Sequence, residues 1–391
     1  MSVVARDQLS WHVRMLLDGL RHPHTVRDWT PAHWDVLART ARNARLLAVL
    51  ASRVQRAFGD DGLDVLAAPI RDALVGALAE SAYLTQMQRV ELARVTRVLA
   101  PLGIDLVLLK GAAYVAQNAP IATGRVPNDV DVLVAPADLT RAEAALLAAG
   151  WQYEDTLDDY DQRYYRAWSH ELPPLRFEGF VLELDLHHAI LPPTTRVSPP
   201  TAQLLARRQP VAGTPWFALA PEDQLLHIAA HVFIDSDCTS RLRDVIDFDA
   251  LFAHHVAAQP AFAELLIARA RELRLLPALV PMLAFTRAWV SADTAHDAAA
   301  ARALAACQRD ARPSPLLLTL ASRTLPPHHP DSVPGASERW ATRLLGLRYA
   351  WWRMPLPLLA YHTVMKSWRG LRGRWSSPGD GTRTAADAAV P

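Results

Sequence analysis

The chain has 391 residues, 51% of them hydrophobic, and a formal net charge of +1. This length provides apolar material for two or three domains, and the near-neutral charge argues against a protein that coats nucleic acid non-specifically, so we expect no stable nucleic-acid binding. Two isolated cysteines, no secretory signal and no apolar run of about 18 residues favour a soluble cytoplasmic protein without disulfides, a structural zinc site or a transmembrane segment.

The region before residue 100 is predicted to be helical. Apolar residues recur at three- and four-residue steps in segments 32–57 and 62–99. The second segment could form one long helix, which Pro101-Leu102-Gly103 should end. We therefore predict an N-terminal helical region over residues 1–99.

Short β-branched and apolar runs after residue 103 indicate strands. The sequence predicts strands at residues 104–109, 130–134, 176–177 and 181–187. Helices are predicted over 111–119 and 138–149, and Glu178-Gly179 resembles a hairpin turn between the last two strands. The resulting fold class is α/β (α+β), with a small mixed-sheet core over residues 100–191 flanked by N- and C-terminal helical regions.

After a proline-rich connector at 192–200, the chain is predicted to be helical again. The expected helices, within a C-terminal helical domain of residues 192–335, are 221–235, 240–256, 260–273, 277–290 and 296–308. Prolines between 313 and 334 indicate mostly loop. A last helix is expected over 338–370, in a basic and aromatic segment 336–375, and the tail 376–391 is predicted to be disordered.

A pair of carboxylates opens the second predicted strand. Asp129 and Asp131 are two residues apart, so both side chains lie on one face of a strand. Adjacent charges of one sign repel each other unless a cation lies between them, and Mg²⁺ is often held by one or two carboxylates plus substrate phosphates. A neighbouring strand could bring Asp185 to the same edge. Three carboxylates around two metals is the arrangement that nucleotidyl transfer requires.

The chain has only two lysines, Lys110 and Lys366, among its 41 basic residues. A lysine that remains where arginine is otherwise used is a candidate for chemistry that needs a compact ammonium group, although chance survival is the alternative. Lys110 stands directly before Gly111 at the predicted end of a strand. This position makes Lys110 a candidate functional residue.

The stretch from Leu106 to Trp151 resembles the core of a largely uncharacterised bacterial nucleotidyltransferase family of the polymerase-β-like superfamily. That family has a Leu-Lys-Gly strand end, an arginine before an Asp-x-Asp strand, and a helix that ends in Gly-aromatic. The matching residues are Lys110, Gly111, Arg125, Asp129, Asp131, Gly150 and Trp151. Asp185-Leu186-His187 resembles the third-carboxylate strand of the family, and the likeness extends over residues 30–260.

The resemblance implies a polymerase-β-type fold and transfer of a nucleoside monophosphate from an NTP to a hydroxyl group, with release of pyrophosphate. The implied catalytic residues and ligands of Mg²⁺ (or Mn²⁺) are Asp129, Asp131 and Asp185, and the implied nucleotide-binding residues are Lys110, Gly111 and Arg125. The acceptor could be a small molecule or a peptide or protein side chain. The serine with which other members contact phosphate is missing, so we expect Lys110 to supply part of that contact.

Several histidines and one charged dipeptide are weaker candidates. His227 and His231 have a helical spacing that could ligate zinc, but no third ligand is evident in the sequence. His187 and His188 follow Asp185, so one of them could approach the active site, but a solvated strand end is the preferred expectation. Arg243-Asp244 is expected to form a structural ion pair between helices.

Two other classes of function remain open. One is a catalytically silent binding or regulatory module, against which the three retained carboxylates argue. The other is a protein that docks on a membrane or a partner through the basic and aromatic stretch Trp340–Trp375, which has no acidic residue. For this stretch we prefer a helix packed on the core by its aromatics, with its arginines in water, because Pro355 and Pro357 break a continuous amphipathic face.

Overall fold

The computed structural model describes residues 5–59, 62–154, 158–291 and 294–375. The tail predicted to be disordered, 376–391, lies outside these residues. Within the described ranges, no helix combines the length and the apolar character needed to cross a membrane.

The region before the sheet is helical, as predicted. It contains α1 (Trp11–Arg21), α2 (Pro31–Asn43), α3 (Leu47–Phe58) and α4 (Ala68–Leu99), with 3-10 turns at Arg6–Gln8, Pro23–Asp28 and Ala100–Leu102. The segment 32–57 is helical, as expected, and forms two helices, because Arg45 has a φ of 56° and separates α2 from α3. Gly103, with a φ of 68°, follows α4 where the sequence predicted its end.

The central region alternates short strands and helices. Its elements are β1 (Val107–Leu108), α5 (Lys110–Ala116), β2 (Asp129–Leu133), a 3-10 turn (Pro136–Asp138), α6 (Leu139–Ala148), β3 (Trp151–Gln152), α7 (Asp159–Trp168), β4 (Arg176–Phe177), β5 (Glu183–His187), α8 (Thr201–Leu205), β6 (Gln209–Pro210) and β7 (Phe217–Ala218).

The main sheet is small and mixed, which confirms the predicted class of an α/β chain with a mixed sheet and flanking helices. Its strand order is β5-β2-β1-β7-β6. β2 is parallel to β5 and antiparallel to β1, and β1 is parallel to β7, which is antiparallel to β6. β6 and β7 follow the expected core boundary at residue 191, so the sheet draws strands from beyond it. The division into domains stays a prediction.

The hairpin expected at Glu178-Gly179 is only partly correct. β4 pairs with β3 in a separate two-stranded sheet instead of pairing along β5. Its connection to β5 is a single antiparallel bridge between Leu175 and Leu184. The turn itself forms, and Gly179 adopts a φ of 76° that favours glycine.

Helices dominate the rest of the described chain. They are α9 (Pro221–Phe233), α10 (Leu242–Ala258), α11 (Phe262–Glu272), α12 (Leu276–Phe285) with a π-helical continuation (Thr286–Ser291), α13 (Asp297–Cys307), α14 (Pro315–Thr324), α15 (Ala336–Arg353) and α16 (Leu356–Trp375). The expectation of mostly loop over 313–334 is only partly correct, because Pro315 and the Ser314 cap start α14, whereas residues 325–334 are not helical. The single helix expected over 338–370 is divided before Pro355.

The expected packing of the basic and aromatic stretch is only partly correct for α15, because Trp352 packs against the core but two other tryptophans do not. Trp340 and Trp351 are 61% and 43% exposed, whereas Ala341 and Leu345 are buried. Arg348, expected in water, donates a hydrogen bond from Nη1 to the backbone oxygen of Phe233 at 2.7 Å. The aromatic side of this helix therefore faces largely outward.

Candidate active site

The three predicted carboxylates lie on two neighbouring strands. β2 and β5 run parallel, and their register places Asp131 opposite Asp185. Asp129 precedes Asp131 by two residues, so the pleat directs both side chains to the same face of the sheet. The fold thus brings together carboxylates that are more than fifty residues apart in sequence.

Asp131 is buried and held by two cationic or proton-donating side chains. Its Oδ1 accepts from Lys110 Nζ at 2.7 Å and lies 2.9 Å from His187 Nε2. Burial alone would raise the pKa of Asp131, but the charge of Lys110 and the hydrogen bond from His187 lower it well below its usual value. Asp131 is therefore the one of the three whose ionised form its surroundings favour.

The pKa values of Asp185 and Asp129 are shifted upward, in the direction opposite to that of Asp131. Burial, reinforced by the nearby carboxylates of Asp131 and Glu171, raises the pKa of Asp185 to about 8. Burial and Asp131 raise the pKa of Asp129 to about 6. Asp185 Oδ1 is buried and has no hydrogen-bond partner among the described residues. This face of the sheet concentrates negative charge that its own side chains only partly neutralise.

Ligand atoms at this face are close enough to share a cation. One atom each from Asp131, Asp185 and His187 lies within 4.8 Å of the others, and the same holds for His170, Glu171 and His187. Asp129 is outside these groups. Carboxylate oxygens suit Mg²⁺, and a histidine nitrogen is tolerated better by Mn²⁺. With the unpartnered Asp185 oxygen, the donor set fits a divalent cation.

Lys110 occupies a strained position at the end of β1. Its φ of 41° lies in the left-handed region, which a residue with a Cβ atom adopts at a cost of about 1–3 kcal/mol. Burial opposes its charged form, but the carboxylates of Asp131 and Glu171 outweigh burial and raise its pKa above the usual value. Its ammonium contacts Asp131, and the expected contact with a triphosphate stays a prediction.

Gly111 and Arg125 are adjacent in space. A Cβ atom at Gly111 would lie 3.1 Å from Arg125 Nε, so glycine allows the guanidinium to approach the start of α5. Arg125 is buried, forms an ion pair with Asp247 of α10, and lies 5.0 Å from the centre of the Tyr114 ring. In this structure the Arg125 guanidinium thus pairs with the carboxylate of Asp247, and the nucleotide-binding role of Arg125 stays a prediction.

A cleft opens beside these carboxylates, and its other wall is strongly basic. Besides residues from the strands, the cleft is lined by Arg45, Gln88, Arg125, His227, His231, Arg241, Arg243, Asp244 and Asp247. Asp244 lies 3.7 Å from Arg241 of the same helix end, so the ion pair expected within Arg243-Asp244 is replaced by Arg241–Asp244. The lining combines Asp129 and Asp131 with five lysine and arginine side chains, two of which pair with Asp247 and Asp244, so the cleft suits a phosphate-bearing ligand with a bound cation.

The histidines differ from their expected surroundings. His187 is 0% exposed, so the expectation of a solvated strand end is wrong for this residue. It lies between Asp131 and Glu171, whose Oε2 is 3.4 Å from His187 Nε2 and 3.5 Å from His170 Nε2. Sequence reasoning missed Glu171 and His170, because they reach the site through a bridge of Glu171 to His187 that no local pattern indicates.

His227 and His231 lie on α9 at the floor of the cleft. Burial and the charge of Lys110 lower the pKa of His227 to about 3, and burial with nearby cations lowers that of His231 well below the usual value. Neither belongs to the groups of potential metal ligands found in the described residues. They act here as neutral groups that line the cleft.

The fold and the site define an α/β protein with a carboxylate-bearing sheet edge and a basic cleft. A family model described as uncharacterised nucleotidyltransferase matches residues 30–291. The chain belongs to this family, which supports nucleotidyl transfer in general and a nucleoside triphosphate as substrate. No curated protein and no solved structure matches the chain.

Proposed function

We propose that the protein is a metal-dependent nucleotidyltransferase. It transfers a nucleoside monophosphate from an NTP to a hydroxyl group of a small molecule or of a peptide or protein, and it releases pyrophosphate. The observation that carries the proposal is the unpartnered, buried Asp185 oxygen opposite the ionised Asp131. Without a cation, an ionised Asp185 would face the Asp131 carboxylate in a largely buried place, which costs free energy and raises the pKa of Asp185.

Asp129, Asp131 and Asp185 are the proposed ligands of Mg²⁺ or Mn²⁺, and His187 is a further candidate because it lies within the same group of ligand atoms. Bound divalent ions would supply charge neutralisation at the phosphates and would lower the pKa of the acceptor hydroxyl. The arrangement of β1, the Lys110-Gly111 turn and the parallel β2–β5 pair supports assignment to the polymerase-β-like superfamily.

The cleft residues position the triphosphate. Lys110, Gly111 and Arg125 are the proposed nucleotide-binding residues, and all three line the cleft beside Asp129. Arg241 and Arg243 form part of its basic wall and would neutralise the leaving pyrophosphate. The acceptor oxygen forms a bond to the α-phosphorus, the bond from that phosphorus to the β-phosphate oxygen breaks, pyrophosphate leaves with the electron pair, and the hydroxyl proton is released.

A catalytically silent nucleotide-binding module is the second candidate. The observation in its favour is the ion pair of Lys110 with Asp131, which satisfies this carboxylate with a protein cation. The Lys110 ammonium leaves Asp185 Oδ1 without a partner among the described residues, however. This unpaired oxygen favours an enzyme over a silent module.

The experiment that tests the proposal is incubation of the protein with each NTP, Mg²⁺ or Mn²⁺ and candidate hydroxyl acceptors, with pyrophosphate release as the measurement. An NTP labelled at the α-phosphate shows whether the nucleotide joins the acceptor. We expect metal-dependent label transfer with one pyrophosphate per label. Nucleotide binding by calorimetry without turnover for any acceptor class would favour the silent module.

A further inference from the structure

Helix α15 packs on the protein through one narrow side. Ala341 and Leu345 are 0% and 1% exposed, Arg348 donates to the backbone oxygen of Phe233, and Trp352 packs against the core. These residues are spaced by four, three and four positions, so they lie along one face of the helix. The contact with α14 and the core fixes the orientation of the rest of α15.

A second stripe, shifted by one residue, faces outward. Trp340, Leu344, Leu347 and Trp351 have the same spacing and are 61%, 41%, 68% and 43% exposed. We call these four residues the outer stripe. The guanidinium carbon of Arg196 lies 4.1 Å from the centre of the Trp351 ring and covers one face of it. The other three side chains of the outer stripe form its apolar surface. Two tryptophans and two leucines on one exposed helix face form a patch that soluble surfaces generally avoid.

Positive charge borders the outer stripe. Arg339 and Arg343 lie on the helix side that is opposite the packed face, and the guanidinium of Arg343 is 5.5 Å from the Trp340 ring centre. From Arg339 to Trp375 the sequence has no acidic residue, although Arg348 and Arg353 bind the protein's own Phe233 and Asp235 and add no charge beside the stripe. On α16, Leu356 and Val364 add further exposed apolar side chains, at 57% and 65% exposure.

We propose that the outer stripe and its arginines dock the protein on the surface of an anionic lipid bilayer. Tryptophan favours the boundary between headgroups and acyl chains, leucine gains free energy from entering the hydrocarbon, and arginine pairs with lipid phosphates. The helix lies in the plane of the interface and does not span it. The reaction of the cleft then takes place beside a membrane.

Charge complementarity and the aliphatic side chains favour an anionic bilayer over two other partners of the outer stripe, a second copy of the chain and a nucleic acid. A second copy of the chain would bring the same basic stretch against itself, so like charges would oppose association. A nucleic acid would satisfy the arginines, but it offers no hydrocarbon for Leu344 and Leu347. An anionic bilayer matches both the charge and the aliphatic side chains.

The test is co-sedimentation of the full-length protein with vesicles of phosphatidylcholine alone or with added phosphatidylglycerol. We expect binding to the anionic vesicles that decreases when salt is raised from about 0.1 M to about 1 M, since the screening length falls from about 10 Å to about 3 Å. The double variant Leu344→Glu/Leu347→Glu should lower the partition coefficient at least tenfold. Circular dichroism checks that it remains folded, which the exposure of both side chains leads us to expect.

The matched control is Val75→Glu/Val181→Glu, which adds the same charge at residues 49% and 56% exposed elsewhere. It should bind anionic vesicles within about twofold of the wild type. Arg339→Gln/Arg343→Gln leaves the apolar side chains in place and should weaken binding at low salt. Equal binding of both glutamate variants, or no binding of the wild type, would overturn the proposal. So would binding of single-stranded RNA, or self-association lost in the stripe variant, without vesicle binding.

Discussion

Two ion pairs with buried carboxylates in this protein differ in how completely their charged groups are paired. Arg269 of α11 binds Asp223 of α9 through two hydrogen bonds of 2.7 and 3.0 Å, and its Nη2 also donates to the backbone oxygen of Gln203 at 3.0 Å. Both side chains are nearly inaccessible, at 3% and 0% exposure. Each polar atom of the carboxylate has a donor, so this pair is complete and joins helices.

The pair of Lys110 and Asp131 is crowded and incomplete. The Lys110 ammonium is balanced by Asp131, but Asp129, Asp185 and Glu171 stand nearby, and Asp185 keeps an unpartnered oxygen. Arg269 has one further acid, the exposed Glu272, whose Oε1 lies 2.8 Å from Arg269 Nη1, but it leaves no buried carboxylate oxygen of its pair without a donor. A cluster of carboxylates with an unpartnered oxygen is instead typical of a site for phosphate and metal. The difference between the pairs predicts that substitutions at one change stability and substitutions at the other change activity.

The largest effect is expected from Asp129→Ala. Because this carboxylate is destabilised by burial and by Asp131, its removal should leave the protein folded. Loss of this proposed metal ligand should lower the nucleotidyl-transfer rate by roughly 10³-fold or more, about 4 kcal/mol of barrier. Steady-state pyrophosphate release, compared with the wild type at equal NTP, measures the effect.

The control for this variant is Asp138→Ala, which removes an acid paired with Arg141 on the surface of the same region. Its rate should equal that of the wild type. Equal activity of Asp129→Ala and Asp138→Ala would exclude Asp129 from the reaction.

The next effect is expected at the complete pair. Arg269→Met leaves the Asp223 carboxylate buried without its cation, and breaking such a pair typically costs about 3–5 kcal/mol of unfolding free energy. Chemical denaturation measures this loss, and the rate of the folded fraction should change little. The double variant Arg269→Met/Asp223→Leu should recover much of the stability, because no buried charge remains. A stable but inactive Arg269→Met protein would break the contrast between the pairs.

A smaller effect is expected from Lys110→Ala. The change removes the ammonium from the cleft, and we expect NTP binding or transfer to weaken about tenfold, or about 1.4 kcal/mol. Lys110→Arg should restore activity only in part, because the guanidinium is larger and planar. Values of kcat and KM for the NTP separate binding from chemistry. Full activity of Lys110→Ala would mean that its contact with Asp131 has no catalytic use.

Much of the fold was predictable where local pattern decides it. The strand at Val130–Val134 and the helix ended by Gly150 appear close to their predicted positions, since an apolar run and a left-handed glycine act locally. Helix α14 and the break at Arg45 were not predicted. The first depends on a cap that starts a helix among prolines, and the second on a positive φ at a residue with no sequence signal for it.

From local pattern the site was predictable for its strand residues, whereas the nucleotide-binding roles of Lys110, Gly111 and Arg125 came from the family resemblance. The spacing of Asp129 and Asp131 predicts a shared face from the period of a strand alone. The position of Asp185 beside Asp131 required a register that the structure supplies. Glu171 and the basic residues of α10 come from loops and helices whose approach depends on tertiary packing. Their side chains were therefore missed, or in the case of Arg243 assigned a structural partner.

The smallest effect is a change in stability at Asp185, tested by a substitution that changes the charge of the side chain but not its size. Asp185→Asn keeps the size of the side chain but removes the carboxyl group whose burial raises its pKa to about 8 and whose Oδ1 lacks a partner in the described structure. In metal-free protein we expect a gain on the order of 1 kcal/mol, or about two degrees in melting temperature. Added Mn²⁺ should stabilise the wild type by mass action and the variant much less. Asp138→Asn is the matched control, because its partner Arg141 is exposed. If metal stabilised wild type and Asp185→Asn equally, the cation would bind elsewhere, and the contrast between the two ion pairs would no longer identify the active site.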